Sequence, residues 1–235
     1  VERLLIIPGT LTSTLFPAIS ALDSARADKK LQQLSLQALH FLICIMGLVG
    51  VLLAGGAPWI VLLFFGEDYV PQSVAVFRIL LPGFVVNALA FIPYSIVQGC
   101  GRPDITAKFH LIEFPIHLAL LVVGYRYGGL AGVAFAWSMR VTLDCALLLY
   151  YCHHRGWLDG KLLLQHRALR NALVFLVAGA ALSQLSWEAS LGAKCLAFGI
   201  VIAVYIYTYL LGLSRTDRDA VWQFAGRRTD RAQEH

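Results

Sequence analysis

The chain has 235 residues, of which 58% are hydrophobic and only 14% are charged, and its mean hydropathy is +0.69. Charged residues make up roughly 25% of soluble domains, so this composition excludes an ordinary soluble protein and indicates one helical membrane domain. The net charge of +5 does not indicate nucleic acid as a partner, because the basic residues occur in loops and a tail rather than on one face.

Seven apolar stretches follow one another along the chain. They predict an all-α fold, a polytopic bundle of about seven transmembrane helices, since most are close to the roughly 17 to 25 residues that a spanning helix needs. The predicted spans are residues 4–22, 34–53, 74–97, 109–124, 129–151, 173–187 and 195–213. The sequence therefore divides into a transmembrane domain over residues 1–213 and a basic tail over residues 214–235.

The basic residues predict how these helices are oriented, because Lys and Arg near the ends of spans are retained on the cytoplasmic side. Fourteen of the nineteen basic residues lie in alternate connections and the tail, at residues 26–30, 102–108, 155–170 and 215–231. The intervening connections hold only Arg126 and Lys194. The chain is therefore predicted to begin outside the cell and to end in the cytoplasm.

An odd number of helices that begins outside, with no initiator Met or signal peptide, indicates a chain that is part of something longer. We interpret residues 1–235 as the carboxy-terminal part of a transporter-like protein. The alternative is a complete seven-helix protein whose first residues were removed.

Polar residues within the fourth predicted span are candidates for binding, because a charge in hydrocarbon is costly. His110, Glu113 and His117 recur at spacings of three and four and form one polar stripe, with Lys108 just below it. The stripe should avoid lipid. It lines water, takes up a coupling proton, or lies near the cytoplasmic headgroups.

Three further charges lie in other predicted spans. Arg78 is about one turn into the third span. Arg140 and Asp144 are four residues apart on one face of the fifth span, so they are predicted to pair and to offset much of each other's desolvation. That pair either contributes a polar lumen surface for a charged substrate or locks helices together. We take all of these polar residues as candidates for the lumen.

No catalytic or metal-binding motif is found in the sequence. It contains no phosphate-binding glycine loop, no HExxH and no convincing Ser, His and carboxylate set, so we expect neither an enzyme nor a cofactor. The five cysteines are scattered and predict no disulfide framework. The run Cys152, His153, His154 is not expected to hold a metal, because adjacent side chains diverge.

Four segments together resemble a known family. They are LFPAISAL at residues 15–22, LFFGEDYVPQSVAVFRILLPGF at 63–84, IVQGCGRPDITAK at 96–108 and YRYGGLAGVAFAW at 125–137. Their order and spacing resemble the polysaccharide-biosynthesis exporters, which are lipid-linked oligosaccharide flippases of the multidrug/oligosaccharidyl-lipid/polysaccharide exporter superfamily. The resemblance covers about residues 3–154 and fades in the last two predicted spans.

The resemblance implies a two-lobed fold of about twelve or fourteen helices around a cavity that opens alternately to each side. On the fourteen-helix plan this chain matches the last seven helices, so an amino-terminal lobe of the same protein is an expected partner. Family members hold the diphosphate of an undecaprenyl-linked sugar with cationic cavity residues. Arg78 falls where the family motif has a similar Arg, whereas Lys108 and Arg140 have no firm counterpart.

The function implied is translocation of a lipid-linked oligosaccharide across the bacterial inner membrane, by alternating access, for surface polysaccharide synthesis. One alternative is an ion-coupled small-molecule antiporter of the same superfamily. A more distant alternative is a membrane-bound sugar or acyl transferase.

Overall fold

The computed structural model describes residues 27–158 and 191–212, together with the isolated residues 6, 8–10, 19 and 174. The helices within these ranges are α1 (Ala27–Phe65), α2 (Val70–Gly99), α3 (Pro103–His154) and α4 (Leu191–Gly212), with a 3₁₀ turn at Glu67–Tyr69. No strand occurs in these ranges, and the predicted all-α membrane fold is confirmed. The predicted spans 4–22 and 173–187 and the tail 214–235 lie outside the described residues, apart from the isolated positions.

Three of the described helices are long and apolar enough to cross a bilayer, at Leu34–Phe65, Gln72–Gly99 and Pro103–His154. The first continues well past the predicted end of its span at residue 53. Pro58 does not break it, because the following turn is held by packing: Ala57 and Val61 are buried against Val74 of α2. The helix ends at Phe65. The next residue, Gly66, has a φ of 88°, which glycine adopts without strain.

α3 is a helical hairpin rather than one continuous rod. A straight helix of its 52 residues would be about 78 Å long, more than twice the thickness of the hydrocarbon core. The helical path breaks at Gly129, where φ is 55° and ψ is −136°. We call the two halves α3a (residues 103–128) and α3b (residues 130–154); each is long enough to cross the membrane.

The two halves touch near the turn through a pair of glycines. A Cβ atom built on Gly132 would overlap the backbone of Gly124, and one built on Gly124 would overlap the backbone of Gly132. Only residues without a side chain allow so close an approach of two helices. This contact fixes how far α3b is shifted along α3a.

The hairpin packs against α2, and α2 packs against α1. The buried side chains at these contacts include Leu42, Met46, Phe84, Ile92 and Leu148. The Ser138 hydroxyl of α3b donates a hydrogen bond of 2.9 Å to the carbonyl of Ile79 in α2, next to the turn that Pro82 interrupts.

α4 packs against α1 through a buried polar contact. The hydroxyl of Tyr205 donates a hydrogen bond of 2.9 Å to the Cys44 carbonyl. The described helices therefore form one connected bundle, in which α1 also reaches the end of the hairpin: the Gln32 side-chain amide donates a hydrogen bond of 2.6 Å to the Gly156 carbonyl.

Candidate functional site

Four ionisable side chains meet between the two halves of the hairpin. His110 and Glu113 come from α3a, and Arg140 and Asp144 come from α3b. His110 Nδ1 lies 3.5 Å from Glu113 Oε2 and 3.9 Å from Asp144 Oδ1, and Arg140 Nε lies 3.9 Å from Glu113 Oε2. We call these four residues the hairpin cluster.

Helical spacing and the glycine contact together place this cluster. Glu113 lies three turns below Gly124 on α3a, and Asp144 lies just over three turns below Gly132 on α3b, so the two carboxylates reach the same level. Glu113 is ten residues, or about 15 Å, from the start of α3a, and Asp144 is equally far from the end of α3b. The cluster therefore lies within the thickness of the hydrocarbon core.

Burial differs sharply among the members of the cluster. The Glu113 side chain is 1% exposed, and neither of its carboxylate oxygens accepts a hydrogen bond. Asp144 is 15% exposed, and its Oδ1 also accepts none. Arg140 and His110 are 35% and 47% exposed, so their polar heads reach the surface of the described part of the chain.

The charges of the cluster do not balance. Two carboxylates face one guanidinium, which leaves one negative charge in excess when His110 is neutral. A charge buried without full compensation in the membrane is expensive. The arrangement can therefore attract one further positive charge, whether a proton, a metal ion or a cationic group of a ligand.

The predicted pairing of Arg140 with Asp144 along one helix is wrong. The ion pairs run across the hairpin instead, from Arg140 to Glu113 and from Asp144 to His110. The local spacing allowed an i,i+4 pair, but the facing helix offers closer partners to both residues. His117 lies one turn further along α3a, near Arg140 and the backbone of Ala136.

Lys108 belongs to a different group of residues at the start of α3a. Its ammonium lies 3.2 Å from Asp104, which also accepts hydrogen bonds from Arg102 at 3.0 and 3.3 Å. This triad lies before the predicted span 109–124, and all of its members are exposed or half-buried. Hydrogen bonds from Arg102 and Lys108 lower the pKa of Asp104 to about 2. The sequence analysis did not predict this triad, although the i,i+4 spacing of Asp104 and Lys108 is a signal that could have revealed it.

Arg78 lies on α2, next to the residue that contacts α3b. It is half-buried, and the carbonyl of the next residue, Ile79, accepts the hydrogen bond from Ser138. Ser138 contacts Ile79 and Cys152 contacts Pro93, so α2 and α3b run parallel, and the backbone of Arg140 lies three residues, or about 4.5 Å, beyond that of Arg78 along the helix axis. The described structure therefore brings four of the seven predicted site residues into one cluster, with His117 one turn from Glu113, Arg78 about two turns from the level of Asp144, and Lys108 apart.

Comparison with known proteins identifies the family. Residues 4–123 match the model of the MatE family, which is just over half of the chain. The chain belongs to the MatE family. The match covers α1, α2 and most of α3a. It ends before α3b, which carries Arg140 and Asp144.

The alignment with a curated relative is longer than the family match. The chain is 39% identical over 153 residues to a Shigella flexneri protein named "Putative O-antigen transporter". The alignment covers 65% of this chain and 36% of that protein, so the chain spans about a third of the length of its relative. No solved structure matches the chain. The predicted resemblance to polysaccharide exporters is confirmed, and the family indicates a membrane exporter rather than an enzyme.

Proposed function

We propose that this chain forms part of an exporter that translocates a lipid-linked oligosaccharide, an undecaprenyl-diphosphate sugar, across the bacterial inner membrane for surface polysaccharide synthesis. The observation that carries the proposal is Arg140, a partly exposed cation on a helix pair of a MatE protein that lies 3.9 Å from Glu113, beyond hydrogen-bond distance. The name of the Shigella flexneri relative supports this class of substrate.

The physical task is to move a charged and hydroxylated headgroup through hydrocarbon. Without hydrogen-bond partners, each of its polar groups would lose several kcal/mol of hydration free energy, roughly 2 to 7. Charged side chains facing a cavity can replace that hydration, while the lipid tail stays in the bilayer. Exchange between two states that open the cavity to opposite sides then carries the headgroup across.

Arg140 is the residue of the hairpin cluster best suited to contact the diphosphate. Its side chain is 35% exposed, and its Nε lies 3.9 Å from Glu113 Oε2, beyond hydrogen-bond distance, so its donors are available to a ligand. A guanidinium binds phosphate oxygens in pairs, with its positive charge retained at any physiological pH. Arg78, about one turn away along α2, is the second candidate for this contact.

The orientation of the chain completes the proposal. The excess of basic residues in alternate connections places the start of α3a and the end of α3b, with Arg102 and Arg155, on the cytoplasmic side, together with the carboxy terminus. The hairpin cluster is then closer to the cytoplasmic than to the outer surface. A second, amino-terminal lobe would provide the opposite wall of the cavity.

The test compares two Arg→Gln substitutions in the full-length protein. Arg140→Gln removes the charge within the cluster, whereas Arg126→Gln removes an exposed charge near the hairpin turn. In a strain that lacks the native gene, Arg140→Gln should lower surface polysaccharide at least about tenfold, the loss expected for about 1.4 kcal/mol of binding free energy. Arg126→Gln should restore the wild-type level. Equal polysaccharide from the two variants, at equal protein levels in the membrane, would remove Arg140 from the site.

The excess negative charge of the cluster supports a second candidate function. A site with two carboxylates and one guanidinium suits a cationic substrate, as in an ion-coupled small-molecule antiporter. Under this alternative, deletion of the gene would raise the sensitivity of the cell to cationic drugs and leave its surface polysaccharide unchanged. Under the first proposal, the reverse pattern is expected.

A further inference from the structure

We propose that His110, Glu113 and Asp144 form a binding site for a divalent transition-metal ion such as Zn²⁺ or Co²⁺. One ligand atom from each of these residues lies within 4.8 Å of the other two. The sequence predicted no metal site because the ligands come from two helices that are separated by a turn. This inference is independent of the transported substrate, since it concerns only what the hairpin binds.

The distances suit a first-row transition metal. Ligand bonds of about 2.1 Å in a tetrahedral site require ligand atoms to be about 3.4 Å apart. His110 Nδ1 is 3.5 Å from Glu113 Oε2 and 3.9 Å from Asp144 Oδ1, so two of the three distances between ligand atoms are already near that value. Small side-chain rotations would shorten the third. One imidazole and two carboxylates also match the donor set that zinc accepts, with a fourth position open to water.

The strongest indication of a ligand is the state of Glu113. This side chain is 1% exposed, yet neither of its oxygens accepts a hydrogen bond. Asp144 Oδ1 is in the same condition. Buried carboxylate oxygens normally have partners, and here Glu113 Oε2 and Asp144 Oδ1 both lie within 3.9 Å of His110 Nδ1. A bound cation would satisfy them all at once.

Arg140 is a competitor for this site. Its Nε is 3.9 Å from Glu113 Oε2, so it supplies positive charge to the same carboxylate without a hydrogen bond. A divalent ion beside it would be repelled, and removal of the guanidinium should relieve that repulsion. The geometry thus predicts that one substitution strengthens metal binding while two others weaken it.

The test is a titration of the purified full-length protein in detergent with Co²⁺, whose visible absorption reports its coordination. The protein carries a tag without histidine and is first stripped with a chelator. The wild-type protein should bind Co²⁺ at this site and release it to Zn²⁺. His110→Gln and Asp144→Asn should each weaken the binding at least about tenfold. The double variant His153→Gln with His154→Gln, outside the hairpin cluster, should bind like the wild type.

Arg140→Gln provides the decisive measurement, because it should tighten Co²⁺ binding about tenfold or more. A variant that simply failed to fold could not gain affinity. The proposal is overturned if Co²⁺ absorption is absent from the wild-type protein, if Arg140→Gln does not tighten the binding, if the absorption survives in His110→Gln and Asp144→Asn, or if it disappears in the His153 and His154 control. Because binding is measured without transport, these outcomes are independent of the polysaccharide assay.

Discussion

Gly132→Ala should destabilise the hairpin, although the same change elsewhere in a helix normally stabilises it. A Cβ atom at Gly132 would overlap the carbonyl oxygen, carbonyl carbon and Cα atom of Gly124, all of which belong to the backbone. No flexible side chain can move aside, so we expect the upper end of the usual cost of overpacking, about 3 kcal/mol. The helix propensity of alanine returns about 1 kcal/mol. The net loss is about 2 kcal/mol.

Gly128→Ala is the matched control, because no heavy atom lies within 4 Å of a Cβ atom built there and its φ is not positive. It should gain the propensity term of about 1 kcal/mol, which puts the two variants about 3 kcal/mol apart. That difference corresponds to roughly 6 to 12 °C in the midpoint of unfolding.

The assay is thermal unfolding in detergent, followed by a dye that reacts with thiols. Cys44, Cys145 and Cys152 are buried, so they become reactive as the helices separate. Gly132→Ala should unfold at a lower temperature than wild type, and Gly128→Ala at the same or a higher one. If both alanine variants unfold together, the glycine contact does not hold the hairpin.

Three further substitutions test other contacts by thermal unfolding in detergent, followed by the dye near neutral pH and by circular dichroism in acid, where thiols are protonated and do not react. Asp104→Asn should destabilise the protein at neutral pH. Because the pKa of Asp104 is about 2 in the folded protein, below its ordinary 3.8, the stabilisation by its two basic neighbours is present above pH 4 and disappears as the pH falls towards 2, where variant and wild type should converge. Ser138→Ala should cost about 1 kcal/mol through loss of its hydrogen bond to α2, and an unchanged midpoint would contradict this role. Tyr205→Phe should cost a similar amount and, by loosening α4 from α1, speed the labelling of Cys44; unaltered labelling would argue against that contact.

Much of the fold could be predicted from hydropathy alone. The apolar stretches predict α-helices, and the short connection that holds Arg126, between the predicted spans 109–124 and 129–151, lies next to the turn of the hairpin at Gly129. The length of α1 could not be read in this way. Gly56 and Pro58 are signals for the end of a helix, and only the packing of the next turn against α2 explains why the helix continues to Phe65.

The candidate site could be predicted only in part, for a different reason. The period of a helix tells which residues share a face, and it correctly grouped His110 with Glu113. It does not tell which residues of another helix lie opposite. Arg140 was therefore assigned the partner nearest in sequence, Asp144, although Glu113 of the facing helix lies closer to it. Pairings between helices depend on their relative shift, which backbone contacts decide.

The glycine contact and the hairpin cluster are two consequences of that one shift. If α3b moved by one residue along α3a, Asp144 would rotate by about 100° and move about 1.5 Å along the axis, away from Glu113 and His110. Gly132→Ala should therefore weaken Co²⁺ binding at a cluster three turns away, whereas Gly128→Ala should leave it unchanged. A Gly132→Ala protein that unfolds early but binds Co²⁺ with wild-type affinity would show that the cluster keeps its geometry without the glycine contact. Weakened binding in that variant would instead mean that the small residues at the turn are selected for the position of the charges as well as for packing.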